Sequence, residues 1–321
     1  MKIEEIEVKD LDLQNFIEEK IEEIASLAGT DLAVNALSGG VDSSTVTMLG
    51  HKALGERLKT YFIDHGLMRE GEPERIVSLF KELGVHVELV DARIEFFNAL
   101  GGLTDPEEKR EAITKAFYEE VFSRLVKESG AMHLLQGTNY TDIEETVAGV
   151  KRQHNILAQL GIDTEESYGY KVIEPLIQLR KPAVREIAKA LGLPEEIYNR
   201  LPFPGPALAT RILGEVTPER VETVKKATSI VEEELSDSGA FQYMAILHED
   251  KVTGVRNGER DYGLQIEVRC WDSQDATIGS PTRLHYDILE KLADRITTEV
   301  PGVVSVTYNI TQKPPSTIEA V

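Results

Sequence analysis

Seven residues, Ser38-Gly39-Gly40-Val41-Asp42-Ser43-Ser44, bring together hydroxyl donors, two adjacent glycines and a carboxylate. Adjacent glycines let the backbone approach a ligand closely. Where such a segment opens a helix, the unpaired N–H groups of the first turn favour an anion. Ser38, Ser43 and Ser44 add hydroxyls suited to phosphate oxygens. The chemistry these types support together is the cradling of a phosphate. The Walker pattern G-x-x-x-x-G-K-S/T and the dinucleotide fingerprint G-x-G-x-x-G are both absent here.

The flanks supply what a cradle needs. Leu32 to Leu37 reads as a short buried strand, and Ser43 to Leu54 carries Val46, Leu49, Ala53 and Leu54 near helical spacing. Further along, strands are predicted at Leu58–Ile63, Val85–Val90 and His133–Leu135. Helices are predicted at 11–28, Glu72–Leu83, within Asp105–Lys127, and at Lys181–Leu191. Strands alternating with helices predict an α/β fold, a doubly wound parallel sheet. Ligands of such sheets bind outside the carboxyl ends of the strands. The Ser/Gly loop, Asp64-His65-Gly66 and Gln136-Gly137-Thr138 all fall there. Residues 141–169 are polar and read as a mobile loop.

Leu201-Pro202-Phe203-Pro204-Gly205-Pro206 packs three prolines into six residues, which excludes a helix or a central strand. The domain boundary is placed there, giving 1–205 and 206–321. The second part reads helix (217–235), strand (Tyr243–Leu247), strand (Tyr262–Arg269), helix (283–299) and strand (Val303–Ile310), a smaller α+β domain.

Composition narrows the class. A net charge of −21 and a pI near 4.8 argue against nucleic acid and anionic membranes as partners. The start of the chain lacks a signal-peptide pattern and no run approaches a membrane span, so a cytoplasmic location is expected. Cys270 is the single cysteine, which excludes an intramolecular disulfide, and its strand setting makes it a core residue.

The S-G-G-x-D-S loop resembles the signature of the ATP pyrophosphatases (PP-loop, adenine nucleotide alpha hydrolase-like), which cut ATP between the α and β phosphates. The second half narrows this. Phe203-Pro204-Gly205-Pro206 with Arg211-Ile212-Leu213-Gly214-Glu215-Val216, and the terminus Lys313-Pro314-Pro315-Ser316-Thr317-Ile318-Glu319, resemble GMP synthetase. Phe62 to Arg69, Asp105 to Arg110 and Gln136 to Tyr140 match as well, so the resemblance runs from about residue 30 to the end. In length, and in lacking an amidotransferase domain, the chain resembles the separate ATP-pyrophosphatase subunit of archaea.

That resemblance implies adenylation of the C2 oxygen of xanthosine monophosphate (XMP), with ammonia then displacing AMP, and it implies ATP and Mg²⁺. It assigns Ser38, Gly39, Gly40, Val41, Asp42, Ser43, Ser44, Asp64 and Gly137 to ATP, with Asp42 as the metal ligand. Asp42, Asp142, Glu145, Lys151 and His154 become catalytic residues, the last four in a lid shared with Asn155. Arg200, Gln242, Arg260, Lys313, Ile318 and Glu319 are assigned to XMP. The part after the linker is implied to form a homodimer, its proline-bearing tail held extended. Residues 1–37 leave no room for a glutaminase before the loop, so ammonia is expected from a separate glutamine amidotransferase.

Several motifs depart from the family's pattern. Gln153-His154-Asn155 stands for His-His-Asn, Lys181-Pro182-Ala183-Val184-Arg185 for K-D-E-V-R, and Asn257-Gly258-Glu259-Arg260 for G-D-x-R. Asp272 to Gly279 differs from E-S-x-D-x-M-T-A, and Ala207 replaces a glycine. Most of these bear on the acceptor rather than on ATP activation. They leave open a paralogue that adenylates a different acceptor and a nucleotide-binding regulator without catalysis.

Overall fold

The computed structural model describes residues 3–147, 169–274 and 276–320, with the side chains of 145–147 left aside. The chain divides into two compact units. The first is 1–63, 73–91 and 118–200; the second is 64–72, 92–117 and 201–321.

The first unit is built on a sheet of five strands in the order β3-β2-β1-β4-β5. These are β1 (Ala33–Ala36), β2 (Leu58–Asp64), β3 (Val87–Asp91), β4 (His133–Leu135) and β5 (Lys171–Ile173). β1 pairs in parallel with β2 and with β4, and β4 with β5. The chain moves outward from β1 to β3, then returns to the other side of β1 with β4. The order therefore switches between β1 and β4, where an open α/β sheet leaves a crevice at its carboxyl edge. The predicted parallel α/β sheet is present, with β5 as a strand that three residues of sequence did not signal.

The helix after β1, Val41–Leu54, buries every residue from Ser44 to Gly50. One polar side chain ties it to the strands. Asn35 in β1 donates to Thr47 Oγ1 (2.6 Å) and accepts from Thr60 Oγ1 of β2 (2.7 Å), so this buried amide is satisfied from both sides. The helices Leu13–Ala28 and Lys181–Ala190 each bury one apolar stripe. Two expectations are corrected. The helix expected within 105–127 is two, Pro106–Lys115 and Ser123–Ser129, joined by a π-helical stretch 116–122. The loop read at 141–169 begins instead as a helix, Tyr140–Val147, because Asn139 and Asp142 cap its first turn.

The second unit carries an antiparallel pair, β6 (Gln242–Arg256) and β7 (Glu259–Ser273), flanked by β8 (Gly279–Pro281) and by β9 (Val303–Tyr308), which runs parallel to β7. The helices Pro218–Leu235 and Tyr286–Glu299 belong to this unit. β6 and β7 extend well past the segments read from apolar residues. Asn257 (φ 54°) and Gly258 (φ 82°) form the two-residue turn whose positive φ values match the twist of paired strands. Ladder pairing then carries the polar stretch around it. Among the described residues, no helix is long and apolar enough to cross a membrane.

Candidate active site

The predicted cradle sits at the switch of the first sheet. β1 leads through Leu37 and Ser38 to Gly39, whose φ of 74° is a conformation that side chains resist. A Cβ there would also meet Arg200 Nη1 at 3.0 Å and Ile76 Cγ1 at 3.1 Å. Gly40 is the N-cap, and the first helical hydrogen bond is Ser44 N–H to Gly40 O (3.0 Å). The N–H groups of Val41, Asp42 and Ser43 precede that bond and face the open end of the helix. Ser38 and Ser43 share a hydroxyl contact of 2.9 Å, and Ser43 Oγ donates to Gly40 O (3.1 Å), which sets the loop's shape. Arg200 donates from Nη1 to Gly39 O (2.9 Å), so this residue, assigned from the resemblance to the acceptor, braces the phosphate loop.

β4 is followed by Gln136 and Gly137. A Cβ on Gly137 would stand 3.1 Å from the Asp42 carbonyl carbon and 3.2 Å from Ser43 N, so the backbone of this turn lies directly against the start of the helix. Asp42 is the electrostatic centre. Its Oδ1 is enclosed and has no hydrogen-bond partner. Burial pushes its carboxyl up to about 6; Lys181 and, more weakly, Arg185 pull it down, and Asp142 pushes it further up. Asn139 Nδ2 and Ser44 Oγ are also buried, and the Asn139 amide hydrogen-bonds toward the Asp42 carboxyl and lowers it. Asp42 Oδ1 and Ser44 Oγ, buried without partners at one helix start, mark this as a candidate site for polar ligand atoms. Asp142 accepts from Asn139 N–H through Oδ2 (3.0 Å). Glu145 falls on the helix Tyr140–Val147 with its side chain outside the described set. Lys151, His154 and Asn155 lie outside the described residues.

In the second unit, Asp64 accepts from Gly66 N–H (2.8 Å), shaping the Asp64-His65-Gly66 turn. His65 is buried against Phe96, and burial pushes its imidazole down to about 4, so it stays neutral at pH 7.

The residues assigned to the acceptor divide. Gln242, Ile318 and Glu319 come together: Gln242 Nε2 donates to Glu319 Oε1 (2.8 Å), and Ile318 packs on Met244, Ile246 and Trp271. Lys313 is near them in the chain but spends its ammonium on Ala276 O (2.7 Å), while its backbone bridges Gly279. Arg260 is apart. It pairs with Val255 near the hairpin tip, and the run from there to Trp271, the register partner of Gln242, spans on the order of 35 Å at about 3.3 Å per residue. The tail is not extended as its prolines suggested. It turns at 314–315, closed by Ser316 N–H to Gln312 O (3.0 Å).

The fold gives places to residues that the sequence marked only as parts of motifs, with no role at the site. Lys181, Arg185 and Asn139 surround Asp42. Arg211 is fully buried, meets Glu319 through Nε and Nη2 (3.4 Å each), and lies over the Phe203 ring at 4.9 Å; Arg69 lies over the same ring at 4.0 Å. Their motifs did not reveal these roles, since Lys181 and Arg185 act on Asp42 and Arg211 on Glu319, far away in the chain.

Comparison with known proteins agrees with both halves. A family model described as NAD synthase matches residues 11–206, and one described as GMP synthase C terminal domain matches residues 228–320. The chain is similar to one of the separate subunits of the glutamine-hydrolyzing GMP synthase of Archaeoglobus fulgidus, 50% identical with 96% of this chain and 99% of that one covered. It is 48% identical to the same subunit of Methanopyrus kandleri and 46% to that of Pyrococcus horikoshii, at the same coverage. A parallel α/β sheet matched by the one family model, a second part matched by the other, and 50% identity over nearly the whole length place this chain in the family of these GMP synthase subunits.

Proposed function

We propose that this chain is the ATP-pyrophosphatase subunit of a GMP synthase, a ligase that forms a carbon–nitrogen bond. The C2 oxygen of XMP attacks the α-phosphorus of ATP and pyrophosphate leaves. Ammonia then adds at C2 and AMP departs with that oxygen, giving GMP. The observation that carries this reading is the Ser38–Ser44 cradle, whose open N–H groups suit a triphosphate and whose enclosed Asp42 oxygen suits the cation that accompanies one. The relatives are named as one subunit of a glutamine-hydrolyzing enzyme, which supports a second, separate subunit as the source of ammonia.

Mg²⁺ fits this site. The described residues hold no cluster of three or more His, Cys, Asp or Glu, whereas Asp42 and Asp142 are near enough to interact. Few carboxylates plus phosphate oxygens is the usual environment of Mg²⁺. Bound there, the ion would neutralise charge on the departing pyrophosphate. Asp42 and Asp142 would hold it, Gly39 to Ser44 would hold the phosphates, and Asp142, Glu145, Lys151 and His154 would belong to a lid that excludes water. Gly137, whose backbone lies against the start of the helix, would complete the phosphate-holding part of the ATP site.

Gln242, Ile318, Glu319 and Lys313 would form the acceptor site, Glu319 accepting from purine N–H groups, while Arg200 would serve the phosphate loop that it braces. Arg260 stands too far along β7 to join them within one chain, which supports a homodimer in which it reaches the partner's site. The functional division is placed at 205/206. The test is product analysis: AMP formation must require XMP and ammonium together. ADP and phosphate as products would overturn the reading.

A further inference from the structure

Residues 317–320 belong to no helix or strand, yet one side chain holds three of their carbonyl groups. Arg269 Nη1 donates to the carbonyl oxygens of Thr317 (2.9 Å), Ile318 (3.2 Å) and Glu319 (3.1 Å), its two hydrogens shared among three acceptors. Arg269 is itself buried on β7, and its Nε donates to Glu267 Oε1. Glu267 is held in turn by His248 Nε2 (2.9 Å) and Asn309 Nδ2 (2.9 Å). Burial alone would raise the Glu267 carboxyl, but hydrogen bonds from His248, Arg269 and Asn309 outweigh it and hold it at about 2. It is therefore a fixed anion across the working range, and it aims the guanidinium. From the other side, Arg211 and Gln242 hold the Glu319 carboxylate.

We infer that Arg269, aimed by Glu267, is a positioning residue that docks the C-terminal segment so that Ile318 and Glu319 can recognise the acceptor. This rests on the assignment of XMP as acceptor made above. A segment docked only part of the time lowers apparent affinity by the fraction of time it is absent. Loss of the fork therefore acts on XMP and not on ATP. Lysine at this position keeps a charge for Glu267 but loses the planar fork that reaches several carbonyls.

The chain carries its own reporter. Trp271 is the single tryptophan, is buried, and packs against Ile318. The experiment compares the full chain with R269K and R269M, measuring KM for XMP and for ATP, kcat, and tryptophan emission with and without XMP. R269M is expected to raise KM for XMP by roughly tenfold or more and to leave KM for ATP within about twofold, at near-normal kcat under saturating XMP. Its emission should shift red and return on adding XMP, with R269K intermediate. An unchanged KM for XMP with unshifted emission in both variants overturns the inference, as does equal loss of XMP and ATP use. If R269M does not fold, R269K is judged by the same two readouts. If the wild-type chain does not turn over XMP, the proposed function fails, and the emission of R269K still decides the docking claim.

Discussion

Replacing Asp42 with Asn should abolish turnover and yet make the ligand-free protein more stable at neutral pH. Burial raises the Asp42 carboxyl from 3.8 to about 6, even after the attraction of Lys181 and Arg185. A raised acid pKa means that the folded state holds the proton more tightly than the unfolded chain. Asp42 then costs nothing below pH 3.8, and its ionisation penalty grows with pH until it is complete above 6. At 1.36 kcal/mol per pH unit the penalty is about 1.6 kcal/mol at pH 5 and about 3 kcal/mol at pH 7.5. An amide of the same shape escapes it at every pH. Whatever fixed difference the amide's own contacts make, the stability advantage of D42N should widen by about 1.4 kcal/mol between pH 5 and 7.5. Urea unfolding of both proteins in EDTA at the two pH values measures this directly. An advantage that stays flat or shrinks as pH rises would refute the claim that enclosure of the carboxylate governs Asp42.

Three further outcomes are expected. Gly137→Ala presses a Cβ against backbone at 3.1–3.2 Å and should cost about 1–3 kcal/mol, lowering kcat/KM for ATP at least tenfold, as steady-state kinetics and urea unfolding would show. Deleting 313–321 removes Ile318 and Glu319; acceptor-dependent AMP formation should vanish while ATP binding by calorimetry persists. Free ammonium should support GMP formation by this chain alone, whereas glutamine should do so only with an added amidotransferase, a difference that chromatography of the products resolves.

What could be read from the chain was what is local. The cradle is a strand, a turn and a helix within Ala33–Leu54, and each piece carries its own signal in glycines, hydroxyls and apolar spacing. Gln136-Gly137-Thr138 was legible for the same reason, as the turn after a buried strand. Periodicity failed where burial does not set the pattern. The outer parts of β6 and β7 are polar because they are exposed, and Asn257-Gly258 was the signal that would have recovered them. Lys181 and Arg185 reach Asp42, and Arg211 and Arg269 reach the tail, only because the fold closes long stretches of chain; no spacing rule relates them. The tail's turn was missed because prolines restrict a backbone without fixing its direction.

If the acceptor's own oxygen attacks ATP, a label on that oxygen must follow it into AMP. XMP carrying ¹⁸O at C2 is turned over with ATP and ammonium, and the AMP, pyrophosphate and GMP are analysed by mass spectrometry. One ¹⁸O atom is expected in each AMP formed and none in pyrophosphate or GMP. Unlabelled AMP, with its new oxygen taken from water, would contradict that attack.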